Sequence, residues 1–402
     1  MSSALPAGPL PLAGLRVIEL THMVMGPAAG GILAELGAEV VRIEPVGGDP
    51  TRALRGSGAG YFPMFNRGKK SVCLDIKRPE GLAAVRRLIS LQDVLLENFR
   101  LGALERLGLG YDSLRHDNPR LIYCSEKGFL PGPYEQRTAL DEVAQMMSGL
   151  AYMTGPPGRP LRAGASVIDV AGGMFGVIAI LAALLERQTT GRGQKVGSAL
   201  FETSVYLVGQ HIAQKAVTGR DAQPMPVRVS AWAIYDVFET ADGEQVFLGV
   251  VSDSQWQRFC GEFALDDLGR DPQYRTNNLR VAARNELLPR IRSLLQTFSK
   301  AELVAKLQTT ELPFASVGKP EDLSADPHLL ASGGLGPTHL PDGTKTALPI
   351  LPIEIGGGRT STSGQLARPG EHTFSVLEAA GLTFSEIDVL RARGVVSAPE
   401  PG

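Results

Sequence analysis

Short unbroken apolar runs alternate with stretches of helical periodicity along the first half of this chain. LRVIEL at 15–20 and EVVRIE at 39–44 read as strands, and GPAAGGILAELGA between them as a glycine-bearing turn and a helix stopped at Gly37. That is a βαβ unit, whose strands pair in parallel through a right-handed crossover. SVCLDIK at 71–77, DVLLENF at 93–99, LIYCS at 121–125 and KVGSAL at 195–200 predict further strands. Helices are expected at 82–91, opened by Pro79, at 139–155, and at 201–217. The alternation predicts an α/β fold with a mostly parallel sheet, whose ligands gather beyond the carboxyl ends of the strands. The run ASVIDVAGGMFGVIAILAALLER at 165–187 is apolar on every face. It predicts a buried helix, slightly too short and too rich in glycine for a membrane span.

The pattern changes after 217. A polar, proline-bearing stretch at 218–230 reads as a linker, and a second domain spans 231–332. Its first feature is a hairpin, YDVFET and QVFLGV around an Asp-Gly turn, followed by helices at 253–263, 284–298 and 300–308. From 333 short strands and turns return, and 369–393 looks helical. A length of 402 residues suits two or three domains, and a net charge of -2 argues against a polyanion-binding protein. Cys73, Cys124 and Cys260 are scattered, without a CxxC pair or neighbouring histidines, which argues against a structural zinc site or a disulfide framework. With no basic or long apolar leader in MSSALPAGPLPLAG, a soluble cytoplasmic protein is the expectation.

Asp169 is the one acid of the long apolar run before Glu186, and it stands among small residues. It reads either as a helix N-cap or as a carboxylate, kept ionised by the helix end, that a ligand approaches over the glycines. Glu44 lies where a dinucleotide fold would place its ribose-binding acid, yet Gly26, Gly30 and Gly31 do not form G-x-G-x-x-G. Arg52, Arg55, Arg67, Lys69, Lys70, Lys77, Arg100 and Arg106 collect on strand-end loops, where as a group they suit a ligand with phosphates. There is no P-loop, no GxSxG elbow and no HExxH, and His22 is the sole histidine on a strand-end glycine loop. Among nucleophiles this leaves a carboxylate, with Asp169 the best placed.

The pieces LAGLRVIELTHMVMGPAAGGILAELGAEVVRIEP, FNRGKKSVCLDIKRPEG, ENFRLGALERLGLGYDSL, DEVAQMMSGLAYMTG and SVIDVAGGMFGVIAILAALLERQTTGRGQKV stand in an order that is specific as a set. Through them the chain resembles the CaiB/BaiF family, the class III CoA-transferases, over nearly its whole length. The resemblance implies a large Rossmann-like domain made of both chain ends, 1–217 and 333–402, a smaller α+β domain, and an interlocked homodimer. It implies coenzyme A thioesters as substrates, with no resident cofactor or metal. Family contacts to coenzyme A fall on His22, Val24 and Met25, on Leu74, Asp75 and Lys77, on Asn98, Phe99 and Arg100, and on Arg106 and Arg137. The catalytic aspartate falls on Asp169, and Asp141 takes the place of a second acidic group. Where some members carry a polar and a basic side chain, this chain has Val24 and Pro45, so those side-chain contacts do not carry over.

The implied reaction moves coenzyme A from an acyl-CoA to a free carboxylic acid through aspartyl anhydride and aspartyl-CoA thioester intermediates, the glycines beside Asp169 offering N–H groups to the oxyanions. Related racemases place a histidine immediately before the Asp141 position; Leu140 stands there, and an aliphatic group carries no proton. Formyl-type members carry a glycine run where this chain reads LGVVSDSQW. Arg228 and Arg258 are candidates to meet the second carboxylate of a dicarboxylic substrate such as succinate. A 2-methylacyl-CoA racemase and a non-catalytic CoA-binding protein are the alternatives.

Overall fold

The computed structural model describes residues 9–228, 230–340, 342–360 and 364–399; residues 1–8, part of the stretch read for targeting, and Val229 of the expected linker lie outside the described residues. The chain divides into two compact units, Met1–Pro226 with Ser324–Gly402, and Val227–Leu323. The change of unit therefore falls inside the stretch read as a linker, and the return to the first unit comes nine residues before 333.

The larger unit is built on a seven-stranded sheet. In chain order its strands are β1 (Arg16–Leu20), β2 (Glu39–Glu44), β3 (Lys70–Leu74), β4 (Val94–Glu97), β5 (Ile122–Lys127), β6 (Lys195–Ala199) and, near the end, β14 (Val396–Ser397). Their spatial order is β14-β3-β2-β1-β4-β5-β6, all parallel except the antiparallel edge strand β14. Sequence order reverses between β1 and β4, and a crevice at such a switch point is where open α/β sheets bind ligands. Period-two alternation sorts the side chains onto two faces. Val17, Val40, Leu96 and Cys124 pack under α1 (Met25–Glu35) and the long apolar helix, whereas Ile18, Val41, Leu95 and Tyr123 pack under α2 (Pro79–Ser90) and the C-terminal helices. Burying each such side chain stabilises the fold by about 1.5–3 kcal/mol, which makes the two apolar layers its main support.

Several helices differ from their expected form. Residues 139–155 form α3 (Asp141–Ser148) and a short helix Leu150–Thr154, separated by Gly149 at φ 88°, a left-handed turn that ends a helix. The C-terminal stretch is two helices, Thr373–Ala379 and Phe384–Ala392, broken near Gly381. The apolar run is α4 (Val167–Thr190), 24 residues, so it is long enough to cross a membrane by length and composition. Its backbone is instead held against the sheet, with Ser198 Oγ donating to the Gly172 carbonyl at 2.9 Å. The expectation of burial on every face is corrected: Met174, Ile178 and Leu185 are 51, 57 and 65 % exposed. Tyr206, Leu207 and Ile212 are likewise exposed on α5 (Leu200–Thr218), which contacts α4 through the Phe175–Tyr206 ring pair.

The smaller unit is a three-stranded antiparallel sheet, β7 (Ile234–Glu239), β8 (Gln245–Val250) and β9 (Phe314–Ser316), packed against helices over a core that includes Trp256, Phe259, Ile291 and Leu295. The expected Asp-Gly hairpin forms, with Gly243 at φ 75°. Back in the larger unit, β10 (Leu335–His339) pairs with β11 (Lys345–Pro349), and β12 (Glu354–Ile355) with β13 (Gly358–Arg359).

Candidate active site

The strands β1, β4 and β5 deliver their ends to one crevice. Beyond β1 the chain turns sharply at Met23, whose φ of 63° is unfavourable for a non-glycine residue and marks a held loop. Asn98, just past β4, clasps that loop: its Oδ1 accepts from His22 N at 3.0 Å and its Nδ2 donates to the His22 carbonyl at 2.9 Å. Those two bonds end β4 at Glu97, short of the expected 99. Beneath the loop Lys69 donates to both oxygens of Glu19, at 2.9 and 3.0 Å, and to the Pro27 carbonyl at 2.9 Å, fixing the first turn of α1. Burial lowers the Lys69 pKa to about 8.

Asp169 is the third residue of α4, not its cap. Ser166 occupies the cap position without a side-chain hydrogen bond, and the capping acceptor comes from another helix. Asp141 Oδ2 accepts from the backbone amides of Ile168 at 2.8 Å and Asp169 at 3.2 Å. Asp141 is only 3 % exposed and is itself held by Gln145 and by Arg162, which also pairs with Glu142. Gln145 accepts from Ala163 N at 2.9 Å, so the segment leading into α4 is tied to α3. The orphan amides of the helix start are thus already satisfied. The Asp169 carboxylate accepts no hydrogen bond from the described residues. Burial first, then the negative charges of Asp141 and Glu142, push its pKa up to about 7, with Arg162 opposing.

Gly172 and Gly173 lie inside α4, where amides bond to carbonyls one turn back. They do not offer N–H groups to an oxyanion, as the sequence suggested; they let α1 come close. A Cβ on Gly173 would sit 2.7 Å from the Met25 carbonyl, and one on Gly172 2.6 Å from Met25 Cε.

A cavity of about 620 Å³ opens in front of Asp169. Of the sequence-expected residues it brings together His22, Val24, Met25, Asn98, Phe99, Arg100, Arg106, Arg137, Asp141 and Asp169. Leu74, Asp75 and Lys77 are absent from its lining. Leu74 is buried in the core, and β3 ends there instead of running on to Lys77, because Asp75 turns the chain by accepting from Lys77 N at 3.0 Å. Tyr61, Gln136 and Leu200 line the cavity without having been singled out. Glu126 and Lys127 line it too, from the segment 126–130 that the sequence places beyond the end of the strand at 121–125, where ligands are expected.

The basic group read as one anion-binding set separates. Arg52 pairs with Glu44 at 2.6 Å, Arg67 with Glu35 at 3.5 Å, Lys69 with Glu19 at 2.9 Å and Lys70 with Glu39 at 2.7 Å. Arg100 and Arg106 reach the cavity and pair with no acid of the described residues, and Arg137 lies over the Tyr134 ring at 5.1 Å. Glu44 is not available to a ribose: it is 1 % exposed and accepts from Arg52, from Ser71 Oγ at 2.6 Å and from Asp49 N at 2.8 Å. Arg258, in the smaller unit, pairs with Glu311.

The profile of CoA-transferase family III matches residues 12–373. A succinate–glutarate CoA-transferase of Agrobacterium fabrum is 36 % identical, over 91 % of this chain and 95 % of its own length. The succinyl-CoA:glutarate CoA-transferase of Homo sapiens is 31 % identical, over 97 % of this chain and 91 % of its own. The crystal structure of a CaiB/BaiF family protein from Brucella suis superposes with a TM-score of 0.82 at 31 % identity, covering 93 % of this chain and 100 % of that one. A doubly wound parallel sheet, a carboxylate at its switch-point cavity and matches that run almost end to end agree: this chain belongs to the family III CoA-transferases, enzymes that act on coenzyme A thioesters.

Proposed function

We propose that Asp169 is the nucleophile of this CoA-transferase. The observation that carries this reading is a half-buried carboxylate that accepts no hydrogen bond from the described residues, at the wall of a cavity and on a helix start that another acid caps. A carboxylate attacks a thioester best when partly desolvated and held in place. Asp169 adds to the donor carbonyl, the C–S bond breaks, and the coenzyme A thiolate leaves a mixed anhydride. The thiolate attacks the aspartyl carbonyl and releases the donor acid as its carboxylate. The acceptor carboxylate then displaces the thiolate from the aspartyl thioester, and the thiolate takes the new acyl group while the Asp169 carboxylate departs. No net proton is needed. Arg100, Arg106 and Arg137, at the cavity rim, suit the phosphates of coenzyme A.

The names of the relatives support dicarboxylates such as succinate and glutarate as the acids exchanged. Against a racemase stands Leu140, 58 % exposed beside Asp141, which gives Asp169 no proton-carrying partner at that position. The exposed apolar face of α4 and α5 supports a homodimer, since a contiguous apolar patch on one chain is the mark of an interface. Three buried free cysteines agree with a reducing, cytoplasmic setting. The test is mass spectrometry after incubation with succinyl-CoA. A coenzyme A adduct on Asp169, discharged by hydroxylamine, is expected; full activity in Asp169→Ala with no adduct in the wild type overturns the reading.

A further inference from the structure

One acid of the cavity has no part in the reaction just described. Glu126 is the last residue but one of β5, is 1 % exposed, and neither of its carboxyl oxygens has a hydrogen-bond partner among the described residues, although it lines the cavity with Asp169. The neighbouring cations are committed elsewhere: Lys127 to Glu97 at 2.6 Å and Lys69 to Glu19 at 2.9 Å. Both oxygens are buried without a hydrogen-bond partner, which favours the neutral carboxyl; burial, then the charges of Glu19, Glu97 and Asp169, push its pKa in the same direction. It is therefore an O–H donor without an acceptor among the described residues, and a buried donor in that state points to an acceptor carried by a ligand.

Helix α4 sets the distance. Asp169, Gly172 and Gly176 follow one another along one helix face. A Cβ on Gly176 would lie 2.3 Å from Glu126 Oε1, so the acid sits directly against that glycine. Seven residues of helix put the backbones of Asp169 and Gly176 about 10 Å apart, which sets the scale of the gap between the two acids. An attack contact of about 3 Å, a four- or five-carbon acyl chain of roughly 4–5 Å and a charge-assisted hydrogen bond of about 2.7 Å span the same length. Between the two acids, over Gly172, lies the Met25 side chain, flexible enough to move aside and pack on methylenes.

We propose that Glu126 donates a hydrogen bond to the remote carboxylate of a dicarboxylic acyl group held in this cavity between Asp169 and Glu126, and so selects four- and five-carbon dicarboxylyl thioesters over monocarboxylyl ones. This rests on Asp169-centred transfer. A monocarboxylyl group of the same length leaves the donor unpaired, and pockets built around a hydrogen bond discriminate strongly against partners lacking it.

Isotope exchange tests both readings separately, because it needs only one acid at a time: labelled succinate into succinyl-CoA, and labelled butyrate into butyryl-CoA. The readout is the ratio of the two kcat/KM values. In the wild type succinate is expected to be favoured by about 100-fold or more. Glu126→Leu is expected to lower the ratio about 10- to 100-fold, and Glu126→Gln, which keeps an N–H donor, to stay within about fivefold of the wild type. A wild type that exchanges neither label defeats the transfer reading. A wild type with a ratio near one, or a Glu126→Leu variant that loses both exchanges equally, defeats the assignment of Glu126 and leaves transfer standing. Where the leucine variant does not fold, Glu126→Met, close in shape and without a donor, carries the same expected fall in the ratio, and an unchanged ratio in it defeats the assignment.

Discussion

Asp169 is expensive to ionise in the folded chain, and that shapes two measurements. Its pKa of about 7 compares with an ordinary 3.8, so the nucleophilic form is filled only as pH rises. The acid limb of kcat/KM is expected to bend near pH 7, measured as exchange rate against pH with thioester well below KM. The same shift acts on stability with a definite sign. A carboxyl whose folded pKa is raised supports the fold below its unfolded pKa, and that support is lost as pH climbs from about 4 to 7. Asp169→Asn, which cannot ionise, is therefore expected to be more stable than the wild type, by a margin that grows across that window and levels off at about 1–3 kcal/mol. Urea titrations at pH 5 and pH 8 read it. Exchange in that variant is expected to fall at least about 10³-fold.

At the scale of elements, the start of α4 depends on α3. Asp141→Ala removes the acceptor of two helix amides and is expected to cost about 1–2 kcal/mol of stability, read by the urea midpoint. Asp141→Asn keeps an acceptor oxygen but removes the negative charge that ranks next to burial in raising Asp169. Its acid limb is expected to move to lower pH, an effect a purely structural loss would not produce. The loop between β1 and α1 depends on β4 in the same way. Asn98→Ala breaks both arms of the clasp on His22 and is expected to raise KM for acyl-CoA about tenfold with a smaller change in kcat, since the loop lines the cavity without carrying the nucleophile. Here the sequence was only partly legible. Strand β4 and the mostly parallel sheet could be read from apolar runs such as VLL, because strands buried on both faces are largely apolar. The break at Gly149 and the early ends of β3 and β4 were missed, because side-chain and turn hydrogen bonds decide them.

For the whole molecule, the exposed face of α4 and α5 is expected to be covered by a second copy. Ile178→Asp, in the middle of that face, is expected to lower the sedimentation coefficient toward that of a single chain, and an unchanged coefficient argues that a different surface pairs. All-round apolarity of α4 suggested burial within one chain, yet only one side packs on the sheet and α1. Apolar composition reports what a helix face avoids and leaves open which body covers it.

What the sequence determined alone was the repeating supply of apolar strands and helices, hence an α/β sheet with its crevice at the strand ends, and the presence of one acid in an apolar run, Asp169. Those follow from periodicity and composition, which are local properties. Only the tertiary structure decided which charges are free. Arg52, Lys69 and Glu44 look like ligand-binding groups until their partners across the fold appear, while Arg100 and Arg106 have no such partner among the described residues. It also transferred the capping role from Asp169 to Asp141, 28 residues away in the chain, and left Glu126 buried and unpaired. Electrostatic state depends on what lies within a few ångströms in space, and residue order does not specify that until the chain has folded.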